Sequence, residues 1–276
     1  MAEFVGAFAA SHAPLVGRDW EKFAPPTKNW LDTVYRKLGD RIRAARPDAM
    51  IVVAPDHWVN FFINNLPTIC IGVGDSHGAP PEPFLANFPH KPIPGDPVFG
   101  RHVLKTALDH DFEPSVSYDL KLDHGIAIPL MRMMFDRLPK IVPIILNSLE
   151  PPMPTLGRCL AWGRLLRTAI ESYPGASRIA ILATGGLSHS IGEPTMGLID
   201  EEIDHAIIQA FENGAEAPLC SYLDANMDRA GNGTHEVRNW LVCHAAAGAK
   251  GFELIDYKAV PEVYVGCGFA SWNLAA

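Results

Sequence analysis

Short apolar segments alternate with amphipathic segments along this 276-residue chain. The apolar runs have the length of strands, and Ala49–Ala54 is continuous, as expected for a central strand that is covered on both faces. We predict strands at residues 4–10, 49–54, 68–73, 141–146, 178–183, 252–257 and 263–269. Between them, apolar positions that recur about every 3.6 residues predict helices at residues 29–45, 97–110, 125–138, 156–172, 198–213, 218–226 and 236–247.

Repeated strand–helix–strand units predict an α/β fold with a largely parallel central sheet and helices on both faces. We find no linker that would divide the chain, so we expect residues 1–276 to form a single catalytic domain. The proline- and glycine-rich segment 74–97 is too irregular for a core element. It is expected to be a lid or a surface excursion, and long loops of this kind are often functional.

Hydrophobic residues make up 48% of the chain and charged residues 20%, which is an ordinary globular balance. The sequence has no run of 18 apolar residues and no secretion signal, so we expect a cytoplasmic protein without a membrane segment. A net charge of −8, with dispersed lysines and arginines, argues against nucleic acid as a partner. Five scattered cysteines without a C-x-x-C pair fit reduced thiols.

Three of the predicted strands run into a histidine. His12 follows the first strand, His57 follows Ala49–Ala54, and His189 follows the strand at 178–183. The carboxyl ends of parallel strands share one edge, which is where α/β proteins form their sites. A fourth, His124, precedes a predicted helix. One such histidine is more often structural, but four at equivalent positions predict a metal or acid–base site.

Glu236 adds a carboxylate at the start of the last predicted helix, although a glutamate there can also simply complement the helix dipole. The zinc-protease signature is excluded because Asn239, not a histidine, stands four residues after His235. Two imidazoles and one carboxylate leave open positions on an octahedral ion, which is the arrangement of Fe(II) oxygenases. The remaining histidines would then donate and accept protons near neutral pH.

Five short motifs resemble, in order, those of the class III extradiol ring-cleavage dioxygenases. They are Ser11-His12-Ala13-Pro14, Pro55-Asp56-His57-Trp58, Asp123-His124-Gly125, Gly185-Gly186-Leu187-Ser188-His189 and Thr234-His235-Glu236. This superfamily includes the β subunit of protocatechuate 4,5-dioxygenase and 2,3-dihydroxyphenylpropionate 1,2-dioxygenase. The motifs around His57 and Glu236 look more like the second enzyme. The resemblance spans nearly the whole chain, and the five motifs together are specific.

The resemblance implies a non-haem Fe(II) enzyme that opens a catechol ring with O2 by extradiol cleavage and releases a semialdehyde or keto-acid product. His12, His57 and Glu236 correspond to the iron ligands of the family. His189 corresponds to the base that takes a proton from the catechol. His124 corresponds to a second histidine that polarises bound oxygen species and can later act as an acid.

Several alternatives stay open at this point. The same ligands could hold Zn(II) for hydrolysis, the substrate could be an aminophenol, or the chain could be a non-catalytic binding subunit. Retention of all five motifs argues against the last. The expected partners are the aromatic substrate and O2, in a homo-oligomer or a hetero-oligomer with a small helical subunit. Four aromatic residues near the motifs could line a planar pocket, although core packing is favoured for most: Trp58, Phe61, Phe62 and Trp240.

Overall fold

Apolar runs form the middle of an eight-stranded sheet in the computed structural model, which describes residues 1–85, 92–133 and 138–274. The strands of this sheet, in chain order, are β1 (Glu3–Ala10), β2 (Ala49–Ala54), β3 (Ile69–Gly72), β6 (Ser115–Ser117), β7 (Lys140–Leu146), β8 (Arg178–Thr184), β9 (Phe252–Val260) and β10 (Val265–Trp272). Two further strands, β4 (Ser76–His77) and β5 (Ile93–Pro94), pair with each other.

The order across the large sheet is β6-β3-β7-β2-β8-β1-β10-β9. The four central strands, β7, β2, β8 and β1, run parallel to one another. Strand β3 pairs antiparallel with β7, and β10 pairs antiparallel with β1 and with β9. The prediction of a largely parallel α/β sheet is therefore confirmed, with antiparallel pairing confined to its flanks.

Helices cover both faces of the sheet. They are α1 (Leu15–Arg18), α2 (Pro25–Ala45), α3 (Pro97–Asp109), α4 (His124–Arg132), α5 (Leu156–Ser172), α6 (Glu201–Asn213), α7 (Glu216–Asn226) and α8 (Val237–Ala246). In β2, Ile51 and Val53 join the core cluster under α3, α5, α6 and α8, whereas Met50 and Val52 join the cluster under α2 and α4. Because successive side chains of a strand point to opposite faces, both faces of β2 are buried, which explains its continuous apolar sequence.

The predicted boundaries differ from the structure mainly at element ends. Helix α2 begins at Pro25 rather than at 29, because proline is favoured in the first turn, where its missing N–H costs nothing. The predicted helix 125–138 corresponds to α4, and residues 134–137 lie outside the described part of the chain. The proline-rich segment holds β4, β5 and a 3-10 turn at Pro83–Leu85, while its residues 86–91 are also outside that part.

All five cysteines are free thiols, as the sequence analysis predicted from their scattered positions. Among the described residues, none of the helices combines the length and the apolar character that a bilayer-crossing segment needs.

Candidate metal and acid–base site

The ends of three neighbouring parallel strands bring His12, His57 and His189 to one edge of the sheet. Strand β8 lies between β2 and β1, and the paired residues Ala10 and Thr184 show that β1 and β8 end level with each other. His12 and His189 are buried, at 4% and 7% exposure, and His57 is half-buried. The convergence expected from the strand pattern is therefore present.

Glu236 meets two of these histidines. Its Oε1 lies 3.4 Å from Nε2 of His12 and 3.3 Å from Nε2 of His57. Its Oε2 accepts the backbone N–H of Gly186 at 2.8 Å. Glu236 is 1% exposed and ends a 3-10 turn that leads into α8. A carboxylate oxygen and two imidazole nitrogens thus lie close enough to share one ion.

Helix α8 also fixes the loop after β8 against this carboxylate. The indole N–H of Trp240 donates to the carbonyl of Gly185 at 3.0 Å, and the Asn239 side-chain amide donates to the carbonyl of Thr184 at 2.8 Å. Gly185 has a φ of +123°, and a Cβ atom there would lie 2.6 Å from Cβ of Glu236. Glycine is therefore required at this position, both for the backbone conformation and for the close approach of Glu236.

Asp123 orients His57. Its Oδ2 accepts the backbone N–H of His57 at 2.7 Å and lies 2.9 Å from the ring Nδ1. Its Oδ1 accepts the N–H of Gly125 and so caps α4. A carboxylate on Nδ1 leaves Nε2 of His57 directed at Glu236, and this is the usual way in which a protein orients a metal-binding histidine.

The carboxylates favour a positive charge where these groups meet. Burial opposes the charged form of His57, but Asp123 and Glu236 outweigh it and raise the pKa of His57 to about 10. Burial also acts to raise the pKa of Glu236, yet His12, His57 and His189 hold that pKa well below its usual range. A buried ionised carboxylate needs a compensating cation. Two imidazole nitrogens and one carboxylate oxygen fit a divalent metal ion in that role.

His124 lies beside this donor set. Its ring centroid is 4.0 Å from that of His57 and 5.5 Å from that of His12. Ligand atoms of these three histidines all lie within 4.8 Å of one another, so they form a second set that could hold a metal ion. Burial, followed by the charge of His57, lowers the pKa of His124, which keeps the ring neutral near pH 7.

His189 approaches the site from the β8 loop. Its Nδ1 lies 2.9 Å from the carbonyl oxygen of Leu187, and its Nε2 lies 3.9 Å from Oε2 of Glu236. Burial lowers the pKa of His189, so this ring is also neutral at pH 7. A Cβ atom at Gly233 would lie 2.1 Å from Nε2 of His189. The backbone near Glu236 therefore packs directly against the ring.

A buried acid supports the loop that carries His189. Asp204 is 0% exposed and accepts the backbone N–H of Ser188 at 2.8 Å, the hydroxyl of Ser188 at 2.7 Å and the hydroxyl of Tyr257 at 2.7 Å. Burial raises the pKa of Asp204 to about 6 even though these donors oppose the shift. The network joins α6 and β9 to the residue that precedes His189.

A cavity of about 510 Å³ opens onto these side chains, within the range of small-molecule sites. Its wall is largely apolar and includes Ala13, Leu15, Trp58, Phe84, Leu149, Ile191, Met196, Val263, Tyr264 and Val265. Arg18 is the one lysine or arginine among the described lining residues. Of the aromatic candidates, Trp58 lines the cavity, whereas Trp240 is fully buried in the core.

Comparison with known proteins shows the family of the chain that carries these residues. Residues 6–268 match the family described as the catalytic LigB subunit of aromatic ring-opening dioxygenase. The chain belongs to this family. Membership confirms the prediction of a metal-dependent extradiol dioxygenase that acts on catechol-type substrates, and the five motif histidines and glutamate fall within the matched residues.

Relatives named 2,3-dihydroxyphenylpropionate/2,3-dihydroxicinnamic acid 1,2-dioxygenase match nearly all of this LigB-family chain. The protein of Paraburkholderia phymatum is 27% identical, and the alignment covers 94% of each chain. That of Klebsiella pneumoniae subsp. pneumoniae is 28% identical, with 95% of this chain and 96% of the relative covered. The crystal structure of the uncharacterized protein JW3007 from Escherichia coli K12 has a TM-score of 0.65 at 16% identity, covering 98% of this chain and all of that one, which is a likeness of fold.

Sequence reasoning found the histidines and the glutamate that the structure brings together, but it missed the acids that contact them. Asp123 stands directly before His124 in its motif, so its position offered a signal. Asp204 lies on the buried face of α6 and looks like any helical aspartate. A third acid, Glu82, accepts hydrogen bonds from His124 and lies in the proline-rich segment, where no periodicity marks a residue as buried.

Proposed function

We propose that the protein is an Fe(II)-dependent dioxygenase that cleaves a catechol-type ring with O2 by extradiol opening, with His12, His57 and Glu236 as the iron ligands. His189 is the proposed base and His124 the proposed second acid–base residue. We also propose that residues 1–276 form a single catalytic domain.

One observation carries the assignment of the ligands. Nε2 of His12 and Nε2 of His57 both lie within 3.4 Å of the same carboxylate oxygen of Glu236. Because the pKa of His57 is raised to about 10, its Nε2 carries a proton toward Glu236 at neutral pH. A divalent cation bound to both groups can take the place of this proton, and the 2-His-1-carboxylate set is the one typical of non-haem Fe(II) oxygenases.

When bound, Fe(II) supplies the redox chemistry that lets an aromatic diol react with O2. The chain's own residues handle protons. In neutral His189 the proton on Nδ1 is donated to the Leu187 carbonyl, so Nε2 can accept a proton from a substrate hydroxyl. The lowered pKa of His189 keeps it in this accepting form at pH 7. His124 lines the same cavity, and Nε2 of its neutral ring would take up a proton from a substrate hydroxyl or from water and later return that proton to the oxygen atoms of the opening ring.

The proposed substrate is a catechol that carries an acidic side chain. The apolar wall of the cavity suits an aromatic ring and its carbon chain. Arg18 lines the cavity, and its guanidinium, which donates two hydrogen bonds to Asp19, keeps a further N–H edge of the kind that binds carboxylates. The relatives named as dihydroxyphenylpropionate dioxygenases act on substrates of this kind.

Anaerobic loading with Fe(II), followed by O2 and a panel of catechols and aminophenols, tests the reaction. We expect O2 uptake and a coloured ring-opened product with at least one catechol, and turnover of aminophenols alone would assign that substrate class instead. His12→Ala and Glu236→Ala should lose iron. A His12→Ala protein with full iron content and full rate would contradict the ligand assignment, and no O2 uptake with any substrate would contradict the reaction.

The three-histidine set supports an alternative centre. Three histidines form the catalytic zinc shell of carbonic anhydrase, and His12, His57 and His124 lie close enough to form such a shell. His124→Ala separates the two arrangements, because it should retain metal if His124 handles protons and lose metal if His124 is a ligand. Metal analysis of the protein as purified distinguishes iron from zinc.

The cytoplasmic location and the assembly remain predictions. Light scattering of the purified chain, alone and after co-purification from its host, would distinguish a homo-oligomer from a hetero-oligomer with a small helical subunit.

A further inference from the structure

Glu82 turns its carboxylate inward from the proline-rich segment and is 8% exposed. Its Oε2 accepts the backbone N–H of His124 at 2.7 Å, and its Oε1 lies 2.5 Å from Nδ1 of the same histidine. Both carboxylate oxygens therefore contact one residue, which lies 42 positions further along the chain.

An ionised carboxylate can only accept hydrogen bonds, so the proton between Glu82 and His124 belongs on Nδ1. In a neutral ring, Nε2 then carries the lone pair and is the nitrogen left for a substrate or an ion. Asp123 makes the corresponding contact with His57, because its Oδ2 lies against the ring Nδ1. The two acids thus act on two neighbouring rings whose centroids lie 4.0 Å apart.

The same short segment also contributes to the cavity wall. Phe84, in the 3-10 turn Pro83–Leu85, lines the cavity, and its ring centroid lies 6.2 Å from that of His124. The segment therefore supplies both a wall for the substrate and the acceptor that fixes the histidine beside it.

We propose that Glu82 is a positioning residue that holds His124 with its proton on Nδ1, so that Nε2 is available to the substrate in the cavity. The effect on turnover rests on the proposed dioxygenase function. The tautomer of His124 does not, because it follows from the contact with Glu82 alone.

Two-bond 1H–15N correlation spectra of the metal-free full chain at pH 7.5 test the tautomer directly. His124→Gln identifies the signals of this ring among those of the 11 histidines. The expected result is a protonated Nδ1 and a bare Nε2 at His124. A proton on Nε2 in the wild-type protein overturns the proposal, whatever any variant does.

Glu82→Gln tests the consequence. The glutamine carbonyl can still accept the backbone N–H of His124, which places its NH2 group against Nδ1 and drives the proton to Nε2. We expect this change in the spectrum, together with a loss in kcat of up to about 10⁴-fold at nearly unchanged KM, since a catalytic histidine held in the wrong tautomer costs about 10⁴-fold in a serine protease. Glu82→Asp keeps an acidic acceptor and should restore the Nδ1–H tautomer and part of kcat.

Asp75→Asn is the matched control, because Asp75 is an exposed acid on the same segment. It should leave both the spectrum and kcat unchanged. The proposal is overturned if Glu82→Gln keeps the wild-type kcat and the wild-type tautomer of His124. It is also overturned if Asp75→Asn loses as much kcat as Glu82→Gln. If Glu82→Gln does not fold, the wild-type spectrum still decides. If the wild-type protein turns over no catechol, the proposed dioxygenase function is wrong. The tautomer of His124 is then still decided by the spectrum of the wild-type protein.

Discussion

Replacement of Asp123 by asparagine tests whether the acid behind His57 supports the metal site. Asp123 uses Oδ1 to cap α4 and Oδ2 to accept the backbone N–H and the ring Nδ1–H of His57. Asparagine caps helices as well as aspartate does, so the Oδ1 interaction can survive. Its NH2 group then stands in place of Oδ2 and cannot accept a hydrogen bond from His57.

The magnitude follows from the lost ring contact. A hydrogen bond to a charged group contributes about 1.5–3 kcal/mol, which corresponds to about a 10- to 150-fold change in an equilibrium constant. Loss of the partner behind a metal-binding histidine typically weakens metal affinity by about 10- to 100-fold. We therefore expect Asp123→Asn to bind Fe(II) about 10- to 100-fold more weakly than the wild type.

Anaerobic titration of Fe(II) in competition with a chelator measures this affinity. Asp96→Asn is the matched control, because Asp96 caps α3 by accepting the N–H of Phe99 at 3.1 Å and does not line the cavity. It should bind metal like the wild type. An Asp123→Asn protein that is folded and binds Fe(II) with unchanged affinity would refute the idea that the carboxylate orients His57 for the ion.

Three further predictions address the base, the buried acid and the substrate. His189→Ala should retain metal but lose about 10²- to 10⁴-fold in turnover, as measured by O2 uptake beside metal analysis. Burial raises the pKa of Asp204 to about 6 from 3.8, so the native state binds this proton more tightly than the unfolded state. Its contribution to stability is thus complete below about pH 4 and is lost as the pH rises to about 6, by about 3 kcal/mol. Other carboxylates titrate in the same range, so the test is the difference in free energy of unfolding between the wild type and Asp204→Asn, which should fall with this dependence on pH in urea titrations. Arg18→Gln should raise KM for catechols with an acidic side chain but not for unsubstituted catechol, and Lys22→Gln, which also removes a cation paired with Asp19, should change neither.

The central part of the fold was predictable because its strands are buried on both faces. The runs that became β1, β2 and β8 are apolar except at their end residues, and a histidine follows each run within five residues, so both their burial and their common edge could be inferred. Strand β6, by contrast, has three residues, two of them serine, and within the described part of the chain it pairs with β3 alone. Its polar sequence carries no period that would distinguish it from a loop.

The directions of the flanking strands were not predictable for a related reason. The pattern of apolar residues shows which faces of a strand are buried, but it does not show the direction in which the neighbouring strand runs. Strand β3 has the same buried, apolar character as β2, yet it runs antiparallel to β7. The chain reaches β3 without an intervening helix after β2, and a right-handed helical crossover is what would have required parallel pairing.

The site depends both on where its histidines lie and on which nitrogen of each ring is free, and the sequence motifs show only the first. The strand ends set where His12, His57 and His189 stand, because a shared sheet edge leaves little freedom at the first residues beyond it. The usable nitrogen of each ring is set by a different acceptor: Asp123 for His57, Glu82 for His124 and the Leu187 carbonyl for His189. Two of these acceptors are distant from their histidine in sequence, by 66 and 42 positions. A relative that kept every motif but lost Glu82 would therefore keep the metal ligands in place while the tautomer of its second histidine was no longer fixed.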